Sequence, residues 1–194
     1  MREISARSFS AAAVAALGHA VEASPPGDAP TLMLRRAVLM SESLDDDPAA
    51  LEVLTALVEH DDADDELRAE ALERISAIHR GAERWEALYE SLGDQIAAQE
   101  TPSPMLLAAR ADVAQGHLER LDEASALWEA ALEAGYAPED GLAALERAHT
   151  ERGDDVALAR VLMRQQAIAA DEAGIELARR RARLLDGAEE TAEA

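Results

Sequence analysis

A cluster of carboxylates follows His60 in the stretch HDDADDE, residues 60–66. Carboxylate oxygens are the ligands that Ca²⁺ prefers, and four acidic residues match the ligand spacing of a calcium loop: Asp62, Asp64, Glu66 and Glu73. Leu67 stands where such a loop needs glycine, and the residues after it have a helical pattern. We therefore predict no metal site here. Instead, Asp64 or Asp65 caps a helix whose positive end favours acidic residues.

Side chains that could perform nucleophilic or acid–base catalysis occur without recognisable partners. The chain has no cysteine, which excludes thiolate catalysis, disulfides and cysteine-ligated zinc. It contains no Gly-x-Ser-x-Gly motif and no phosphate-binding glycine loop. The histidines show no local metal-ligand spacing: His19, His60, His79, His117 and His149. Carboxylate pairs carry no signal among 40 acidic residues. We predict a protein that is not an enzyme and needs no cofactor.

Arginine provides the most distinctive polar pattern, and all 18 basic residues are Arg. An Arg followed by a small or apolar residue recurs in the first helix of each predicted hairpin, and we call this set the arginine ladder: Arg36, Arg74, Arg110, Arg147 and Arg181. A guanidinium group binds carboxylates through paired hydrogen bonds, and its stem packs on apolar surface. The ladder therefore predicts a track for an acidic or C-terminal carboxylate ligand. The alternative is that each Arg pairs with a carboxylate of the adjoining hairpin and helps to set the stacking.

Regular breaks divide the chain into about ten helical segments. Leu and Ala dominate, β-branched residues are sparse and no alternating strand pattern occurs, so we predict an all-α protein. The breaks are rich in Pro, Gly or Asp and fall at residues 24–30, 45–48, 61–65, 101–104, 135–140, 152–155 and 171–174. The short connections between segments predict antiparallel neighbours.

The helical segments repeat. EALERISAIHRGAERWEAL (70–88) aligns with AALERAHTERGDDVALARV (143–161), and PTLMLRRAV (30–38) aligns with PMLLAARADV (104–113). The offset is that of two hairpins of about 36 residues each, within the usual range for helical repeats. A single hairpin cannot bury its apolar stripe, and stacking a neighbour on it does. Core stripes are predicted at Leu107, Ala111, Ala114 and Leu118, and at Leu142, Leu145, Ala148 and His149.

The stretch LDEASALWEAALEAGYAPED, residues 121–140, resembles the second helix of a tetratricopeptide repeat. Ala124, Trp128 and Ala131 match its small, large aromatic and small positions, and Pro138 stands two residues beyond its closing proline. Weaker similarity covers residues 30–187. The resemblance implies a right-handed α-solenoid of tetratricopeptide-like antiparallel hairpins that binds peptides or other proteins. A closed helical bundle is the alternative fold.

The predicted organisation has three parts. Residues 1–23 form an amphipathic helix that partly caps the array, because Val14, Leu17 and Val21 share one face. A signal peptide is the alternative for this segment. Residues 30–187 form a single solenoid of about four to five hairpins, ending in a polar capping helix, and residues 188–194 form a mobile tail.

Charge limits the choice of partner. The net charge of −22 repels nucleic acid and anionic membranes, and no apolar run reaches the roughly 18 residues of a membrane span. We predict a cytoplasmic, non-catalytic scaffold or adaptor whose partner is another protein or an acidic peptide segment. The alternatives are an accessory domain of an enzyme complex and a structural oligomerisation module. The one basic cluster, Arg179–Arg181 with Arg183, could meet an acidic peptide or a phosphate group, or it could be a solvated face.

Overall fold

The computed structural model describes residues 2–136, 138–169 and 171–192, which form ten α-helices, one 3₁₀ turn and no strand. The predicted all-α class is confirmed. Packing contacts divide the chain into two compact units, Met1–Glu100 and Thr101–Ala194.

The first unit contains five helices, and an apolar core lies between the first four. They are α1 (Arg2–Ala23), α2 (Ala29–Leu44), α3 (Asp47–Val58), α4 (Asp65–Gly81) and α5 (Trp85–Ala97), with the 3₁₀ turn Pro26–Asp28 between the first two. Each helix packs on the next in the chain, and α2 also contacts α4. The core lies between the helices and includes Leu34, Ala37, Leu54, Leu57 and Ile75.

The second unit has the same order of packing. Its helices are α6 (Pro104–Gly116), α7 (Leu121–Glu133), α8 (Glu139–Arg152), α9 (Asp155–Ile168) and α10 (Asp171–Ala192), and each packs on the next. Within each unit, packing between consecutive helices gives the solenoid-like arrangement that the repeats predict. The right-handed superhelix and the single solenoid over residues 30–187 stay predictions.

The same backbone turn joins each pair of hairpin helices. The residue immediately before the N-cap of α3, α5, α7 and α9 has a left-handed conformation: Asp45 (φ 54°), Glu83 (φ 54°), Glu119 (φ 56°) and Gly153 (φ 68°). Three of these residues are not glycine, although glycine adopts a positive φ at the lowest cost. The hairpins α2–α3, α4–α5, α6–α7 and α8–α9 are therefore copies of one local design.

Side chains satisfy several of the amide groups exposed at helix starts. Asp64 accepts a hydrogen bond from the Leu67 amide at 2.8 Å, so the predicted cap of α4 is confirmed. Asp46 and Asp154 cap α3 and α9 in the same way. Asp64, one of the acidic residues that resembled a calcium loop, therefore caps the start of a helix.

Burial agrees with most of the predicted core. Leu107, Ala111, Ala114, Leu142, Leu145 and His149 are buried, whereas Leu118 and Ala148 are half-buried. Among the aromatic residues, Trp128 is buried, Trp85 is half-buried and Tyr136 is exposed. In α1, Val14 is buried and Leu17 and Val21 are half-buried on the face predicted to be apolar. Helix α10 continues to Ala192, beyond the predicted end of the array at residue 187.

Helix α8 approaches the Trp128 indole so closely that only glycine fits. A Cβ atom at Gly141 would lie 2.5 Å from Cε3 of Trp128, well inside van der Waals contact. The indole Nε1 donates to Oε1 of Gln115 at 3.3 Å, which holds the ring in place. Gly141 therefore sets the spacing between α7 and α8.

We expect Gly141→Ala to destabilise the protein, although alanine is the better helix former by roughly 1 kcal/mol. The clash with Trp128 forces α8 away from α7, and overpacking of this kind costs about 1–3 kcal/mol. Urea unfolding followed by tryptophan fluorescence measures the change. The matched control is Gly116→Ala at the end of α6, where an added Cβ meets nothing within 4 Å and stability should not fall. Equal stability of the two variants would contradict the packing argument.

Candidate binding clefts

The arginine ladder occupies equivalent helices. Its five members lie on the even-numbered helices α2, α4, α6, α8 and α10. The residue after each Arg is buried for the first three members, at Ala37, Ile75 and Ala111. For the last two members the following residue is not buried: Ala148, a predicted core residue, is half-buried, and Ala182 is exposed. In α8 the buried stripe runs through Leu145 and His149, and α10 packs mainly on α9.

Individual members of the ladder have different surroundings. The Arg36 guanidinium packs over α1, 3.5 Å from the point where a Cβ of Gly18 would lie. Arg74 pairs with Glu70 of its own helix at 3.0 Å and with Glu42 of α2 at 3.4 Å. Arg110 and Arg181 are half-buried, and Arg147 is exposed. Arg74 therefore pairs with a carboxylate of the adjoining hairpin, as the stacking alternative for the arginine ladder predicts.

A cleft of about 260 Å³ lies in the first unit between α2 and α4, with α3 as its floor. Val38 and Ala77 form apolar parts of its walls, and Leu54 lies at its base. Its polar lining includes Arg74, Glu42 and Asp47, and the Ser41 hydroxyl donates to Asp47 at 2.6 Å. Because the carboxylates outnumber the guanidinium, this cleft is not a site of surplus positive charge.

The second unit has a cleft in the equivalent position. It measures about 380 Å³ and lies between α8 and α10 with α9 as its floor. Its lining includes Leu142, Ala143, Ile168 and Leu177, together with Glu146. In both units, then, two consecutive even-numbered helices form the walls of a cleft.

A polar junction beside the second cleft joins three helices. Arg180 of α10 pairs with Glu146 of α8, and Gln165 of α9 donates to the same carboxylate at 2.8 Å. Burial raises the pKa of Glu146, but the hydrogen bonds from Gln165 and Arg180 and the charge of Arg180 outweigh it, so the pKa lies below its usual value. The link between even-numbered helices is therefore made by Arg180, the neighbour of the ladder member Arg181.

A third cleft, of about 200 Å³, brings a histidine and a carboxylate together between α7 and α9. Nε2 of the buried His149 lies 3.4 Å from Oε1 of Glu129. Arg160 and Arg164 also line this cleft, but its lining contains no Ser, Thr, Cys or Tyr. The lining of this cleft therefore places no side-chain nucleophile beside the His149–Glu129 pair.

Two polar features, one buried and one half-buried, were not recognised in the sequence. Gln95 of α5 donates to the Ser76 hydroxyl of α4 at 2.6 Å, and Ser76 lies 2.8 Å from the Ser91 hydroxyl, so these three groups bind one another across the hairpin. Burial, followed by the charge of Arg84, lowers the pKa of His79, while Glu90 acts in the opposite direction. Ser91 and Gln95 stand one turn apart in α5, and this spacing allows the hydrogen bonds with Ser76. The spacing is visible in the sequence but does not form a distinctive motif.

Comparison of the chain with protein-family models, curated proteins and solved structures finds no match. Among the described residues, no group of three or more His, Asp or Glu side chains is arranged to hold a metal ion. No helix in the described part of the chain is both long and apolar enough to cross a membrane.

We expect Glu146→Gln to lower stability near neutral pH by on the order of 1 kcal/mol, because the ion pair with Arg180 is lost. Since the folded-state pKa of Glu146 is lowered, the carboxylate stabilises the fold above its pKa in the unfolded chain. That contribution disappears as the pH falls through the folded-state pKa. The difference in unfolding free energy between native chain and variant should therefore shrink on acidification. Glu176→Gln is the control, because the Glu176 side chain is 64% exposed and its loss should change little.

The ladder makes a separate prediction. Arg74→Ala should lower stability by no more than about 1 kcal/mol, because its ion pairs are partly exposed. For the remaining members, Arg110→Ala combined with Arg147→Ala distinguishes a role in ligand binding from a role in stacking the hairpins. Loss of partner binding at an unchanged melting temperature would identify a binding track, and loss of stability with binding retained would identify a stacking role.

Proposed function

We propose that the chain is a non-catalytic scaffold or adaptor that binds another protein through a tetratricopeptide-like array of helix hairpins. The observation that carries this proposal is the pair of equivalent clefts between consecutive even-numbered helices, α2–α4 and α8–α10. In tetratricopeptide-like arrays these helices line the ligand-binding face. The four hairpins with a common turn support the same assignment.

The clefts have the size and chemistry for side chains of a bound segment. Each combines an apolar floor with a few polar groups at the rim, as recognition sites for peptides and helices do. Arg74 in the first cleft and Glu146 in the second already take part in ion pairs, so shape and apolar contact select the ligand more than free charge does. If exposed members of the arginine ladder, such as Arg147, contact the partner, an acidic segment is the favoured ligand.

Two other functions are consistent with a helical array. As an accessory domain of an enzyme complex, the chain would use the same clefts to hold a catalytic subunit. As an oligomerisation module, it would bind copies of itself, and its molecular mass in solution would rise with concentration. A cytoplasmic location is part of the proposal, since the acidic, cysteine-free composition suits that compartment.

We expect affinity capture from the native host, followed by mass spectrometry, to recover a protein partner. Ala77→Glu combined with Ala143→Glu should abolish its recovery, because both alanines are exposed and line the two clefts. The matched control is Ala56→Glu, an exposed alanine of α3 outside the lining of both clefts. Recovery of the same partner by all three chains would contradict a role for the clefts, and recovery of only this chain would favour the oligomerisation module.

A further inference from the structure

The central part of the last described helix pair, residues 156–185 of α9 and α10, differs in charge from the rest of the protein. Residues 156–185 contain six Arg and three acidic residues, whereas the other residues contain 12 Arg and 37 acidic residues. The segment therefore has a net charge of +3 in a chain whose net charge is −22. A basic surface in an acidic protein attracts acidic ligands to one place and repels them elsewhere.

The same segment exposes apolar side chains. Of the nine large hydrophobic residues that are exposed in the described structure, five belong to it: Val156, Met163, Ile168, Ile175 and Leu185. Ile168 is 62% exposed and Ile175 is 55% exposed. The sequence predicted a polar capping helix at the end of the array. Helix α10 instead has apolar residues outside the face that packs on α9, and these side chains are exposed.

A groove of about 550 Å³ follows this surface. One wall is formed by Gln166 and Ala169 at the end of α9, and the other by Ile175, Ala178, Arg179 and Ala182 of α10. Ile175, Ala178, Ala182 and Leu185 are spaced by three and four residues, so they form one stripe along about 15 Å of helix. The small side chains in the middle of the stripe let another helix approach closely.

Positive charge lies beside this stripe. The side chains of Arg179 and Arg183 are 68% and 71% exposed, and both pair with the single carboxylate of Glu176, at 3.5 and 3.3 Å. Two guanidinium groups sharing one carboxylate retain donors for further carboxylates.

We propose that this groove binds an acidic amphipathic helix of another protein. The apolar face of that helix lies against Ile175, Ala178 and Ala182, and its carboxylates pair with Arg179 and Arg183. The site rests on the proposed scaffold function and adds a place and a ligand class to it. About three turns of helix match the length of the stripe.

Other occupants fit the surface less well. A symmetric pair of copies would bring Arg179 and Arg183 of one chain towards the same residues of the other, and like charges repel. Nucleic acid and anionic lipid would meet the strongly acidic remainder of the chain, and nucleic acid would leave the apolar stripe unused. An acidic helix uses both the stripe and the arginines.

The direct test is fluorescence anisotropy with a labelled synthetic helix of about 14 residues that carries Leu along one face and Glu beside it. We expect it to bind the full chain and to bind more weakly as salt is added. Arg179→Glu with Arg183→Glu should weaken binding by at least about tenfold, because attraction becomes repulsion. Ala182→Trp should weaken it similarly by filling the groove.

Matched controls separate the groove from general effects. Arg35→Glu with Arg80→Glu makes the same change in charge at exposed positions of α2 and α4, and Ala173→Trp adds the same ring to an exposed position of α10 outside the groove lining. Neither should change binding. A peptide with Lys in place of each Glu should not bind.

Several results would overturn the proposal. They are equal binding of the Lys peptide, unchanged binding after Arg179→Glu with Arg183→Glu, and no saturable binding of the Glu peptide. Binding of phosphatidylserine vesicles or single-stranded DNA that these arginine changes abolish would assign the surface to a lipid or nucleic acid. Self-association that Ala182→Trp abolishes would assign it to a second copy.

Failure of the groove proposal can be distinguished from failure of the proposed scaffold function. The synthetic helix requires no native partner, so its binding supports the groove even if capture from the host recovers nothing. If capture succeeds and is lost with Ala77→Glu and Ala143→Glu but not with Arg179→Glu and Arg183→Glu, the scaffold function stands and the groove proposal falls.

Discussion

Close packing of helices on buried alanine is the constraint on which the rest of the structure depends. Aromatic residues make up only 3% of the chain, so Leu and Ala fill the core. Alanine is completely buried where helices meet, at Ala50, Ala71, Ala111, Ala114 and Ala131. Such contacts bring helix axes near the lower end of the ~8–10 Å range, where one additional methyl group already clashes. The contact of Gly141 with Trp128 is the extreme case, and the spacing of the helices determines the width of every cleft between them.

Polar contacts fix which positions of neighbouring helices lie opposite one another. Leu and Ala stripes can slide along one another, but the ion pair of Arg74 with Glu42 and that of Arg180 with Glu146 each join specific positions on two even-numbered helices. The buried hydrogen bonds of Ser76, Ser91 and Gln95 do the same within a hairpin. Partly buried polar groups of this kind contribute little net stability, but they penalise any packing that leaves them without partners. These contacts therefore fix the register of the helices that form the cleft walls.

The distribution of charge then divides the surface by function. In the clefts, Arg74 and Glu146 already take part in ion pairs. Residues 156–185 of α9 and α10 contain more arginine than carboxylate and expose apolar side chains. In a protein of net charge −22, an acidic partner approaching any other surface is repelled, so a small basic region is enough to orient it. Under the proposed scaffold function, both kinds of surface bind another protein.

The sequence by itself determined the features that depend on neighbours in the chain: the all-α class, the hairpins of similar length and the Asp64 cap. These follow from helix propensity and from the spacing of apolar residues. It did not reveal the left-handed turns at Glu83 and Glu119, because glutamate is not a typical residue for that conformation. Only the tertiary structure decided that Arg180, and not Arg181, meets Glu146, and that Ala182 is exposed. Adjacent residues of a helix point about 100° apart, so the rotation of α10 about its axis decides which of them faces Glu146, and that rotation is set by packing between helices and not by the chain locally.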